Sequence, residues 1–106
     1  MARETGETRR IAVDGRTLEA WFAVHRSGTG PGLLLLADEA GLDAGIRARA
    51  ALFAEEGYAV LAVAGLTEPG EVRAAADALR AMPEHAGGTG ALGHGSGGAL
   101  ACRAAS

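Results

Sequence analysis

The chain holds a single cysteine, Cys102, so no internal disulfide can staple it, which fits a reducing compartment. It has no lysine, and its ten basic residues are all arginines, spread from Arg3 to Arg103 without a dense run. A net charge of -3 with no basic cluster lacks the electrostatic footprint of a nucleic-acid binder. Apolar runs such as Leu33 to Ala37 fall far short of the roughly 20 residues that cross a bilayer, and no apolar segment follows Met1-Ala2-Arg3-Glu4. A cytoplasmic chain with neither nucleic-acid nor membrane partners is expected. No His, Cys or carboxylate cluster shows metal-ligand spacing, so neither a metal nor another cofactor is expected.

What remains is a chain of 106 residues, 48% hydrophobic and 22% charged, the balance of one small packed domain. Arg10 to Val13 and Thr17 to Val24 alternate apolar and polar residues around Asp14-Gly15, which predicts an antiparallel hairpin. Residues 1–9 are expected to form a disordered tail. Gly32 to Ala37 and Tyr58 to Val63 are continuous apolar runs of the kind found in strands buried on both faces. Between them Asp43 is placed to cap a helix in which Ile46, Ala50 and Phe53 recur, with Gly57 as its stop. Thr67-Glu68-Pro69 opens a second helix with Val72, Ala76, Leu79 and Met82 on one stripe, closed by Pro83. Thr89 to Leu92 reads as a short strand before Gly93-His94-Gly95-Ser96-Gly97-Gly98 and a short alanine-rich helix.

The order β-β-β-α-β-α-β-α predicts an α/β fold of three layers, α/β/α, around a mostly parallel sheet with an antiparallel N-terminal hairpin. Ligand sites in such sheets lie at the carboxyl ends of the strands. That rule singles out Asp38-Glu39-Ala40-Gly41 and the glycine-rich turn. Asp38, His25 and His85 are read as surface residues. Cys102, in Ala-Leu-Ala-Cys-Arg-Ala-Ala, is read as a small buried hydrophobe rather than a nucleophile.

The turn also fits G-x-G-x-x-G, the pattern of a nucleotide-binding glycine-rich module. Gly88-Thr89-Gly90-Ala91-Leu92-Gly93 fits it equally, and 17 glycines make such matches cheap. The pattern needs an acidic residue roughly 20 positions on. Only eight residues follow Gly98.

Pro31 to Leu36, Glu39-Ala40-Gly41-Leu42, Ile46-Arg47 and Glu56 to Ala62 resemble, in order and spacing, the N-terminal half of dienelactone hydrolases. The resemblance implies a truncated α/β-hydrolase fold, a single partial domain over residues 1–106, and an ester or lactone as the small-molecule substrate class. It places a nucleophile elbow at Gly93, His94, Gly97 and Gly98, with Gly95 in the nucleophile's seat. It makes Glu39 the glutamate that holds or releases the nucleophile, and the amides of Ala40 and Ser96 the oxyanion hole. Glycine has no atom with which to attack a carbonyl, and the Asp and His that follow the nucleophile in this fold are absent before Ser106. Ser96 one place on is read first as a helix cap and second as a stand-in nucleophile, because His94 is too large for the crowded position two residues before it. The expectation is a hydrolase-class pseudoenzyme with little or no turnover. The alternatives are a nucleotide-binding module and a non-enzymatic interaction protein or fragment. If the strand before the turn is left as an open edge, self-association through it is expected.

Overall fold

The computed structural model describes residues 6–37, 41, 42, 44–66 and 68–93. In chain order they form β1 (Gly6–Val13), β2 (Arg16–Val24), β3 (Gly30–Ala37), α1 (Ala44–Glu55), β4 (Ala59–Ala64), α2 (Pro69–Arg80) and β5 (His85–Gly93). The five strands make one sheet in the order β1-β2-β4-β3-β5. β1 and β2 pair antiparallel, as do β2 and β4, whereas β3 runs parallel to both β4 and β5. This is the three-layer α/β arrangement expected from the sequence.

The hairpin closes on Val13 opposite Arg16, with φ of 47° at Asp14 and 81° at Gly15. Two positive φ values in a row are what a tight hairpin turn matching the strand twist requires, and Asp-Gly supplies them at low cost. The two apolar runs become β3 and β4, the inner pair of the sheet. Side chains alternate along β3. Leu34 and Leu36 face α2 with Phe22, Leu61, Val63, Val72, Ala75 and Leu79, and Leu35 and Ala37 face α1 with Val60, Ala62, Ile46, Ala50 and Ala54. Stepping from β3 to β4 and then back across to β5 reverses direction in the sheet. The right-handed crossover rule therefore puts the two helices on opposite faces.

Four expectations shift in detail. β1 starts at Gly6, so residues 6–9, expected in the tail, pair with Arg9↔Ala20 and Gly6↔Ala23 at its register. The cause is long-range: the Arg9 guanidinium lies 4.0 Å from the Phe22 ring centroid and bridges to Glu84 at 2.7 Å and to Glu7 at 2.6 Å. β5 starts at His85, and the stretch that reads as loop, Ala86-Gly87-Gly88, is an irregularity within it: His85 to Thr89 lies opposite Gly30 to Gly32. α2 ends at Arg80, capped at Ala81, before Pro83 is reached. Its buried stripe is Glu71, Val72, Ala75 and Leu79, while Ala76 and Met82 are only partly covered. α1 follows expectation at Ile46 and Ala50, but Phe53 is half-buried, edge-on to Tyr58 at 6.2 Å. Asp43 lies outside the described residues. Among those residues no helix is long and apolar enough to cross a membrane.

Candidate functional site

The carboxyl ends of β3, β4 and β5 lie along one margin of the sheet because the three strands are parallel. The register sets Ala37 beside Ala64 and Leu36 beside Gly93. The ends of β3 and β5 are therefore adjacent and level. Two chain segments diverging from neighbouring strand ends is the geometry in which α/β sheets build ligand sites. Asp38, Glu39 and Ala40 on the first segment, and His94, Gly95, Ser96, Gly97, Gly98 and Cys102 beyond the second, lie outside the described residues.

Gly93 is the last residue of β5, and its carbonyl accepts a hydrogen bond from Arg49 Nη1 at 3.3 Å. Arg49 projects from α1 and lies 5.9 Å from the Phe53 ring centroid. A guanidinium thus stands on the strand end from which the glycine-rich turn departs. Sequence reasoning missed it, because residues 44 positions apart share no local signal. Its neighbour Arg47 lies flat on the Trp21 ring at 4.4 Å. The Arg47 Nε is buried there and has no hydrogen-bond partner among the described residues.

At the start of α2, just past the carboxyl end of β4, Glu71 is buried. Its carboxylate takes a hydrogen bond from the Glu68 backbone N–H at 3.2 Å and one from Arg16 Nη2. This capping box satisfies helix N-terminal donors, and Arg16 neutralises the charge. Glu71 is thereby occupied in structure rather than offered to a ligand.

The two described histidines lie at the other margin. His25 follows β2, whose end at Val24 sits beside the amino end of β4, and its Nδ1 is 3.0 Å from Ser27 Oγ. His85 pairs with Gly30 at the amino end of β3. Expected on the surface, His85 is half-buried, with Nε2 2.8 Å from Thr89 Oγ1. At roughly 3.3 Å per residue, the His85 imidazole, level with Thr89, lies about 13 Å along β5 from Gly93, and His25, beyond the amino end of β4, lies farther still from the carboxyl margin. Neither is placed to act as a base there. The larger hollow, about 520 Å³ and lined by Val24, His25, Arg26, Gly28, Ala54 and Glu55, also opens at the amino margin.

No family model and no curated protein matches the chain. Solved structures do. A dienelactone hydrolase-like promiscuous phosphotriesterase from metagenomic libraries superposes with a TM-score of 0.77 at 23% identity, over 94% of this chain and 54% of its own. Est1E from Butyrivibrio proteoclasticus gives 0.72 at 19% identity, over 90% and 43%. An epoxide hydrolase from Vigna radiata gives 0.64 at 19%, over 89% and 32%. The chain has a dienelactone hydrolase-like α/β-hydrolase fold. It spans about half the length of the first of these structures and less of the other two.

Proposed function

We propose that this chain is a dienelactone hydrolase-like protein of the ester and lactone hydrolase class that turns substrate over little or not at all. The observation that carries the reading is the parallel pairing of β3 with β5, with Leu36 opposite Gly93. It sets the ends of β3 and β5 side by side; by the resemblance, the backbone N–H groups of Ala40 and Ser96, which follow those ends in sequence, would supply an oxyanion hole. Such donors need no side chains, so they survive the substitution of the nucleophile by Gly95.

Covalent chemistry needs more. Gly95 offers no nucleophilic atom, and within the 106 residues no Asp or His follows it. The histidines at positions 25 and 85 belong to the opposite margin. The test is hydrolysis of a chromogenic short-chain ester by the wild type, Ser96→Ala and Gly95→Cys. No turnover above buffer is expected for the wild type or Ser96→Ala, since Gly95 offers no attacking atom. Wild-type turnover abolished by Ser96→Ala would place the nucleophile at Ser96 and end the impaired reading.

A second reading, an interaction protein that kept the fold without the chemistry, draws on the sheet order. Among the described residues β5 pairs only with β3 and presents its other edge unpaired. Unpaired edges template association with another strand.

A further inference from the structure

The hollow of about 520 Å³ at the amino margin opens between the turn after β2 and the end of α1, lined by Val24, His25, Arg26, Gly28, Ala54 and Glu55. Its base is apolar, with Ala54 buried and Val24 half-buried, and its rim carries charge of both signs. We propose that this hollow binds a short apolar peptide by its two free termini, the carboxylate on Arg26 and His25 and the ammonium on Glu55.

The turn is braced before any ligand arrives. Gly28, with φ of 92°, donates its N–H to the His25 carbonyl at 2.8 Å, and the Ser27 N–H donates to His25 Nδ1 at 3.2 Å. A ring nitrogen that accepts carries no proton, so the neutral imidazole holds its proton on Nε2. Among the described residues nothing accepts from that Nε2–H. Arg26, next in the turn, is exposed and makes no ion pair or side-chain hydrogen bond among them. A guanidinium and an imidazole N–H on consecutive residues of a fixed turn are suited to a carboxylate.

Across the hollow Glu55 is the last residue of α1, and it too has no ion pair among the described residues. Its charge lies at the negative end of the helix dipole, and the last turn holds no basic residue to offset it. A cation brought by a ligand relieves that repulsion. A lone anion would meet Glu55 and a lone cation would meet Arg26, whereas a molecule with both charges and an apolar body satisfies the rim and covers Val24 and Ala54. The volume lies within the roughly 300–1,000 Å³ of small-molecule sites, which admits a dipeptide. The hollow is at the margin opposite the ends of β3 and β5, so the proposal does not depend on whether the chain hydrolyses esters.

The test titrates the dipeptide Leu-Ala into isotope-labelled protein and follows the backbone amide resonances of Arg26, Gly28 and Glu55. A ligand of about fourteen non-hydrogen atoms should give a dissociation constant in the millimolar range. N-acetyl-Leu-Ala lacks the ammonium and Leu-Ala amide lacks the carboxylate, and each should bind about tenfold more weakly. Arg26→Gln should weaken Leu-Ala about tenfold and leave Leu-Ala amide unchanged; Glu55→Gln should weaken Leu-Ala likewise and leave N-acetyl-Leu-Ala unchanged. Both side chains are exposed, so both variants fold, and Arg73→Gln, on exposed α2, should bind as the wild type does. Binding that ignores either blocked terminus, shifts that fall elsewhere on the protein, or no saturable shift at millimolar peptide would each overturn the proposal.

Discussion

The packing of Arg9 on Phe22 ties the first residues of β1 to the core, and a double-mutant cycle measures that tie. Phe22 is 1% exposed, and the Arg9 guanidinium lies 4.0 Å from its ring centroid while bonding both Glu84 oxygens, at 3.0 and 2.7 Å. Phe22→Leu keeps most of the buried apolar volume but removes the ring face, at about 1–2 kcal/mol. Arg9→Met keeps a chain of similar reach and loses both the ring contact and the Glu84 bonds, at about 1–2 kcal/mol. The unpaired Glu84 is present in both arms of the cycle and cancels. What is left is the guanidinium-ring contact, worth about 0.5–2 kcal/mol for a partly desolvated pair. Total stability for a chain of this size is of order 5–15 kcal/mol, so all four proteins stay folded in water. Urea titration followed by fluorescence of the single tryptophan, Trp21, reads each value. If the two losses add to within about 0.3 kcal/mol, Arg9 does not sit on the ring and the early start of β1 is refuted.

Three further outcomes are expected. The Arg9 hydrogen bond holds the Glu84 carboxyl below the ordinary glutamate range, so this pair stabilises the fold above that range and the contribution disappears as pH falls through the lowered value. Glu84→Gln should therefore flatten the acid limb of a stability-pH curve, by no more than about 1 kcal/mol for a partly exposed pair, and an unchanged limb would contradict it. Gly30→Ala should cost several kcal/mol in urea titration, since its Cβ would stand 2.0 Å from the Gly57 carbonyl oxygen, a backbone atom that cannot step aside; a loss under about 1 kcal/mol would refute that close approach. Sedimentation velocity should show concentration-dependent dimers through the β5 edge, and a monomer at high concentration would rule them out.

The parts of the fold legible in the sequence are those written in local chemistry. The apolar runs at Gly32 to Ala37 and Tyr58 to Val63, the Asp14-Gly15 turn, and the Pro69 helix start each carry a nearby signal. The start of β1 was not legible, because Glu7, Thr8 and Arg9 look like a solvated tail until Phe22 and Glu84 are brought beside Arg9. β5 was cut short for a similar reason: Ala86-Gly87-Gly88 has the composition of a loop, and only pairing with β3 makes it part of a strand. At the site, the strand-end rule singles out two segments whose residues lie outside the described ones, and what the structure adds is the parallel register that sets Leu36 beside Gly93. Arg49 on the Gly93 carbonyl escaped notice, since helix faces reveal which residues are inward but not which distant backbone oxygen they meet.

The surplus residues between His85 and Thr89 also make the carboxyl margin of the sheet indifferent to chain length upstream. A regular strand that gains one residue turns every later side chain to the other face. Here slack is stored in Ala86, Gly87 and Gly88, opposite a two-residue step on β3. Adding or removing a residue at that place can be taken up on the spot, and Gly93 still arrives abreast of Leu36. The level at which β5 ends is therefore governed by the last few rungs of the ladder, and drift in the linker from α2 need not reach it.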